Sequence, residues 1–290
     1  FTKVLIALFL FASVFAQCPE WSYSGSNGPA NWGSLCTEYA TCDSGIQQSP
    51  IDLRINQATR TSFNLNFFYE EEEDLTFLNN GHTVEVEYSH ALHDDRTTYL
   101  SNDYDLVQFH FHTPSENTLE GKHYDMEVHF VHSDELSNLL VVGILIDAPN
   151  NNQPCEFLEQ LLNSIPEIEG EENEVDILEY IKLNGEEFFT FQGSLTTPPC
   201  TEGVTWMVRA DPLRCASSQV EEFSSIIGVS NRPVQPRNGR TISKNFDDVN
   251  NTIDDDDNSS NDDDNDDDDS SKASITTISA LTVLTTIFLF

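Results

Sequence analysis

Between Gln108 and His132 the chain reads QFHFHTPSENTLEGKHYDMEVHFVH, and five of its eight histidines lie in that stretch. Side chains of an extended segment alternate between faces, so His110 and His112 share one face while Phe109 and Phe111 point into an apolar layer behind them. After a polar interval holding Pro114, Asn117 and Gly121, a second alternating run sets Glu127, His129 and Val131 on one face and Val128, Phe130 and His132 on the other. Three neutral imidazoles around one ion, with a fourth position left open, are the ligand set of catalytic zinc; structural zinc usually closes its shell with cysteine. A ligating imidazole also needs its second ring nitrogen held by an acceptor. Gln108 and Glu127, each two residues before a histidine and on its face, are the candidate orienters.

The rest of the chain frames that stretch. Short alternating or apolar runs recur at 76–78, 83–88, 106–111, 126–132, 139–146, 188–191 and 204–208, and helical periodicity is confined to about 155–165 and 217–227. The pattern predicts one mainly β domain over residues 18–246 with small peripheral helices. Residues 1–17, with Lys3, an apolar run at 4–15 and Ala16 before Gln17, read as a secretory signal peptide. That run falls short of the ~20 apolar residues a bilayer span needs. Both methionines, Met126 and Met207, are internal, so the chain is expected to lack its initiator. An exported chain keeps its cysteines oxidised, so Cys18, Cys36, Cys42, Cys155, Cys200 and Cys215 are read as disulfides of open pairing; no C-x-x-C suggests a thiolate metal site.

The formal net charge is −37, and residues 247–269 alone hold thirteen aspartates with no basic or aromatic residue. Such a stretch cannot bury enough apolar surface to offset its ordering entropy, so 247–272 is expected to be a disordered linker. Further acidic clusters at 70–74 and 167–174 make the polyanionic character global. A polyanion repels nucleic acid and anionic headgroups and attracts cations. The tail is read as a solvated spacer, with Ca2+ binding as its alternative. Residues 273–290 are largely apolar with interspersed Thr and Ser. Helical, the apolar part would reach only ~24 Å of a ~30 Å hydrocarbon core, and no basic residue follows. Together with small residues at 258–260 or 270–271 and a polar spacer, this resembles a removable signal for a GPI (glycolipid) anchor, and Asn250 and Asn258 sit in N-x-[ST] sequons. The expected location is secreted or on the extracellular face of the plasma membrane.

QFHFH, PSEN and EVHFVH, with LNNGH around His82, QQSPIDL at 47–53, GSLTTPPC at 193–200 and VTW at 204–206, together resemble the α-class carbonic anhydrases, in order, from about Trp21 to Phe246. The resemblance implies a central, mostly antiparallel twisted sheet of about ten strands, and reversible hydration of carbon dioxide to bicarbonate and a proton. It implies Zn2+ held by His110, His112 and His129, with the pKa of bound water lowered to ~7. Thr196 would accept a hydrogen bond from the resulting hydroxide and donate to Glu116, and Thr196 and Thr197 would position the bicarbonate oxygens. Val131, Val141, Leu195, Val204 and Trp206 match the apolar wall that receives carbon dioxide, and Tyr23, Asn80 and Glu85 match the polar wall. His82 matches the family's proton shuttle; its unperturbed pKa of ~6.5 nearly equals that of the bound water, so a proton passes either way. Exported relatives join the positions of Cys42 and Cys200; Cys18–Cys36 and Cys155–Cys215 are then a guess for the remainder.

Three positions depart from the family pattern. Asn117 replaces a histidine and is expected to loosen packing without removing a ligand, Ser230 replaces an asparagine whose carbonyl holds the second ligand, a backbone group that survives the change, and Glu85 replaces a neutral amide. A cupin-type metal oxidase is approached by His110-x-His112-x-x-x-Glu116, but no PxG turn precedes His129. An acidic extracellular calcium- or matrix-binding module on the same scaffold is the non-enzyme alternative. Inactive scaffolds of that kind typically lose a zinc-binding histidine, and all three are kept here.

Overall fold

The alternating runs become neighbouring strands of one 13-stranded sheet. The computed structural model describes residues 18–88, 95–149 and 153–248. The signal peptide, nearly all of the Asp-rich linker, the sequons and the anchor signal lie outside the described residues. Ten strands form the main path: β1 Thr59–Arg60, β2 Glu72–Asn79, β3 Val84–Glu87, β4 Asn102–His112, β5 Met126–Ser133, β6 Leu139–Asp147, β7 Glu172–Ile177, β8 Phe188–Ser194, β9 Glu202–Arg209 and β10 Ser243–Lys244. Their order across the sheet is β7-β2-β3-β4-β5-β6-β9-β8-β10-β1, and three shorter strands attach beside this path. On the path only β6 with β9 and β10 with β1 run parallel. The mainly β, mostly antiparallel architecture is therefore the one expected.

Alternation decides what each face meets. On β4 and β5 the side chains of Phe109, Phe111, Val128 and Phe130 are fully buried, and they pack with Phe157 and Phe223 of the two longest helices among the described residues, α1 Glu156–Leu162 and α2 Ser217–Ile227. Removing such side chains from water contributes about 1.5–3 kcal/mol each. Gln219 of α2 joins the helices: its Oε1 accepts from the Cys155 N–H at 2.9 Å and its Nε2 donates to the Cys155 carbonyl at 3.1 Å. A second apolar cluster, with Val141, Val204, Val208, Phe189 and Phe191, forms around Trp206.

At one end of the sheet β7 alternates too, with Val175 and Ile177 buried and Glu172, Glu174 and Asp176 exposed. This strand was not expected, because its carboxylates read as part of an acidic cluster. The disulfides pair Cys18 with Cys36, Cys42 with Cys200 and Cys155 with Cys215. Cys42–Cys200 spans 158 residues and ties the N-terminal segment to the loop before β9, a long closure of the kind that contributes about 2–5 kcal/mol.

Candidate active site

Strand register assembles the imidazoles. His110 on β4 lies opposite His129 on β5, with Glu85 of β3 on its other side, and His112 pairs with Glu127. One nitrogen from each of His110, His112 and His129 falls within 4.8 Å of the others. The sequence could place His110 and His112 on one face by alternation; only the β4–β5 register brings in His129.

Each ring is held from behind. His110 Nδ1 lies 2.7 Å from Gln108 Oε1, and His112 Nδ1 lies 2.6 Å from the Ser230 carbonyl, so the replacement at 230 leaves that acceptor in place. His129 Nε2 lies 3.0 Å from Glu127 Oε1, at ion-pair distance though without good hydrogen-bond geometry. Asn117 does not loosen the packing. It is fully buried, its Nδ2 donates to Glu127 Oε1 at 2.8 Å, and its backbone N–H donates to Glu127 Oε2 at 2.8 Å. Gly143 of β6 faces His129 in the register, and a Cβ there would come within 2.8 Å of Glu127 Oε1. Glycine is the residue that lets this carboxylate sit so close to the backbone.

The electrostatics favour neutral rings at His110 and His112. Burial, helped by the two neighbouring imidazoles, pushes His110 well below the usual histidine range, and burial also lowers His112. Burial would raise Glu127, but His129 and the donors of Asn117 outweigh it and hold that carboxylate low. Glu116 goes the other way: burial raises it to about 7, against the pull of His129, the Arg232 N–H and the Thr196 hydroxyl. Its Oε1 accepts from the Arg232 N–H at 2.8 Å. Its Oε2 has no hydrogen bond of good geometry, although Thr196 lies near enough to stabilise the carboxylate, and it sits 3.5 Å from His112 Nε2.

His112 Nε2 is also buried without a hydrogen-bond partner, a costly arrangement unless something else meets that lone pair. Three convergent nitrogen donors backed by acceptors fit a zinc ion with an open position. The other metal-like group, Cys18, Cys36 and Glu38, does not fit one, because both thiols are spent in a disulfide.

A cleft of about 120 Å³ opens beside the imidazoles, lined by Tyr23, Asn80, His82, Glu85, Gln108 and Thr197 among others. Larger hollows, among them two of about 450 and 480 Å³, lie elsewhere among the described residues and carry no imidazole cluster; chemistry, not volume, picks the site. Val131, Val141, Leu195, Val204 and Trp206 all fall in the Trp206 cluster, and the Trp206 ring meets that of His129 at 4.9 Å. His82 stacks on Trp21, centroids 3.8 Å apart, and burial lowers its pKa against the opposing pull of Glu169 and Glu20.

Two contributors escaped the sequence reading. Trp21 is one, an aromatic whose stacking partner, His82, lies 61 positions along the chain. Arg232 is the other: its guanidinium is buried and donates to Gln48 Oε1, the Ser49 carbonyl and the Cys42 carbonyl at 2.8–2.9 Å. The signal available was an arginine in so acidic a chain, followed by Pro233.

The eukaryotic-type carbonic anhydrase family model matches residues 27–246. A carbonic anhydrase of Klebsiella pneumoniae is 39% identical over 245 residues, covering 82% of this chain and 96% of the relative. One from Nostoc is 36% identical over 235 residues, covering 78% and 86%. Among solved structures, the α-carbonic anhydrase of Thermovibrio ammonificans in complex with the inhibitor sulfanilamide superposes with a TM-score of 0.71 at 36% identity, covering 77% of this chain and 98% of that one. The chain belongs to the eukaryotic-type, or α, carbonic anhydrase family, enzymes that hydrate carbon dioxide.

Proposed function

We propose that this enzyme hydrates carbon dioxide at a single zinc ion held by His110, His112 and His129, with His82 carrying the proton away. The observation that supports it most is the convergence of three acceptor-backed imidazoles within 4.8 Å, with a buried His112 Nε2 that has no hydrogen-bond partner. When bound there, zinc supplies a Lewis acid that makes water a nucleophile at neutral pH. The protein does the rest. Gln108, the Ser230 carbonyl and Glu127 fix the rings. Glu116, held by the Arg232 N–H, is placed to accept from the Thr196 hydroxyl, leaving the Thr196 oxygen free to accept and so to orient the attacking group. Val131, Val141, Leu195, Val204 and Trp206 offer carbon dioxide a surface with which water competes poorly. Thr197 then meets the polar product.

His82 in the same cleft takes the proton on its ring and passes it to solvent. The reading is tested by stopped-flow carbon dioxide hydration before and after removal of zinc by a chelator. Loss of activity with the metal and its return on adding zinc are expected; full activity in the stripped protein overturns the assignment.

The same reading places the enzyme outside the cell: exported by residues 1–17, carried on the Asp-rich spacer and held by a GPI glycolipid near residues 258–271. Three disulfides support an oxidising compartment. Release of active enzyme from cells by a phosphatidylinositol-specific phospholipase is the expected result, and finding Phe290 on the membrane-bound protein overturns it.

A further inference from the structure

The three acceptors behind the imidazoles differ in one respect. The Ser230 carbonyl belongs to the main chain and Glu127 is a carboxylate, so neither can present a donor by turning over. Gln108 is a primary amide, and rotation by half a turn would exchange its Oε1 for its NH2. With the amide reversed, His110 Nδ1 would face a donor, the ring would take the other tautomer, and Nε2 would carry a proton where a lone pair is needed.

Glu85 closes off that reversal. It lies beside His110 in the β3–β4 register, and its Oε2 accepts from Gln108 Nε2 at 3.3 Å while Gln108 Oε1 accepts from His110 Nδ1 at 2.7 Å. Burial raises Glu85, and a side-chain hydrogen bond from Asn80 works against that rise, in support of the carboxylate. Because an ionised carboxylate only accepts, the NH2 of Gln108 must point toward Glu85 and its oxygen toward His110. A neutral amide at position 85 could satisfy Gln108 in either orientation.

We propose that Glu85 is a positioning residue that locks the Gln108 amide in the orientation which keeps His110 Nε2 free for the metal. The carboxylate also polarises the amide and makes His110 a stronger donor. The role rests on the zinc reading above, and the test separates the two. Zinc release from the holoenzyme into excess chelator is timed for the parent, for Glu85→Gln, and for the exchange Glu85→Gln/Gln108→Glu, which moves the carboxylate directly onto His110. Glu85→Gln should release zinc about 10-fold faster, the lower end of the ~10–100-fold range for partners behind a ligand. The exchange should return the rate to within about 3-fold of the parent, and the melting temperatures of the metal-free proteins should stay together. Parental release from Glu85→Gln, or an exchange variant as fast as the single one, overturns the role of Glu85. A parent that holds no zinc at all overturns the metal assignment instead.

Discussion

His129 and His132 stand three residues apart on β5, both buried, and they face opposite sides of the sheet. Behind the sheet, His132 Nε2 meets the Tyr69 hydroxyl at 2.7 Å and the Thr97 hydroxyl at 3.1 Å, and Nδ1 meets the Leu140 carbonyl at 3.2 Å. Both of its nitrogens are occupied by the protein. His129 has Glu127 on one side and faces His110 and His112 on the other. A buried histidine whose two nitrogens are both answered is a strut; one that converges with two more on an unanswered point is placed to hold a metal. Burial alone would not have told them apart.

The comparison breaks most visibly in paired substitutions. His129→Ala is expected to abolish stoichiometric zinc and lower the hydration rate at least ~10³-fold, in line with losing an essential metal-activated nucleophile. His132→Ala should do the reverse, keeping zinc while losing about 2–4 kcal/mol through a cavity and unanswered hydroxyls. Equal zinc loss in both variants would erase the distinction.

A second test uses pH. Burial lowers His132 to about 4, against its bonds to the Leu140 and Phe130 backbone. The unfolded chain, with its histidine near ~6.5, therefore takes up the proton first as the pH falls. The His132 contribution is complete above about pH 6.5 and is lost toward pH 4, up to about 3 kcal/mol in all. The parent's extra slope in that window, compared with His132→Gln, should be measurable by urea denaturation; matching slopes would mean that His132 is already charged in the fold.

The smallest expected effect belongs to a third histidine. His82 is neither strut nor ligand, being stacked on Trp21 at the cleft. His82→Ala should lower kcat about 10-fold in dilute buffer, ~1.4 kcal/mol of barrier, leave kcat/KM nearly unchanged and respond to added imidazole. Equal losses in both parameters without rescue would make it a structural residue like His132.

Much of this was legible in the chain. Alternation alone assigned Phe109 and Phe111 to the core and His110 and His112 to the site, because a strand's period of two depends on nothing distant. The run at 217–227 became α2 with the same bounds, since Val220 and Phe223 recur at helical spacing. What stayed hidden depends on contacts far apart in sequence. The Ser230 carbonyl, which reaches His112 across 118 residues, was indicated only by the family resemblance, since any residue type would supply that group. Asn117 seemed a weakening substitution until its amide was seen to hold Glu127. β7 was masked by its own charges.

That last strand has a colloidal consequence. A sheet's outermost strand offers unpaired backbone to any other chain, and long apolar edges seed aggregation. Here an approaching copy of β7 would bring Glu172, Glu174 and Asp176 against the same three carboxylates. Self-association at this margin is opposed at neutral pH and loses its opponent as acid or concentrated salt quenches the repulsion. The acidity that hid the strand from the sequence reading is what keeps its edge to itself.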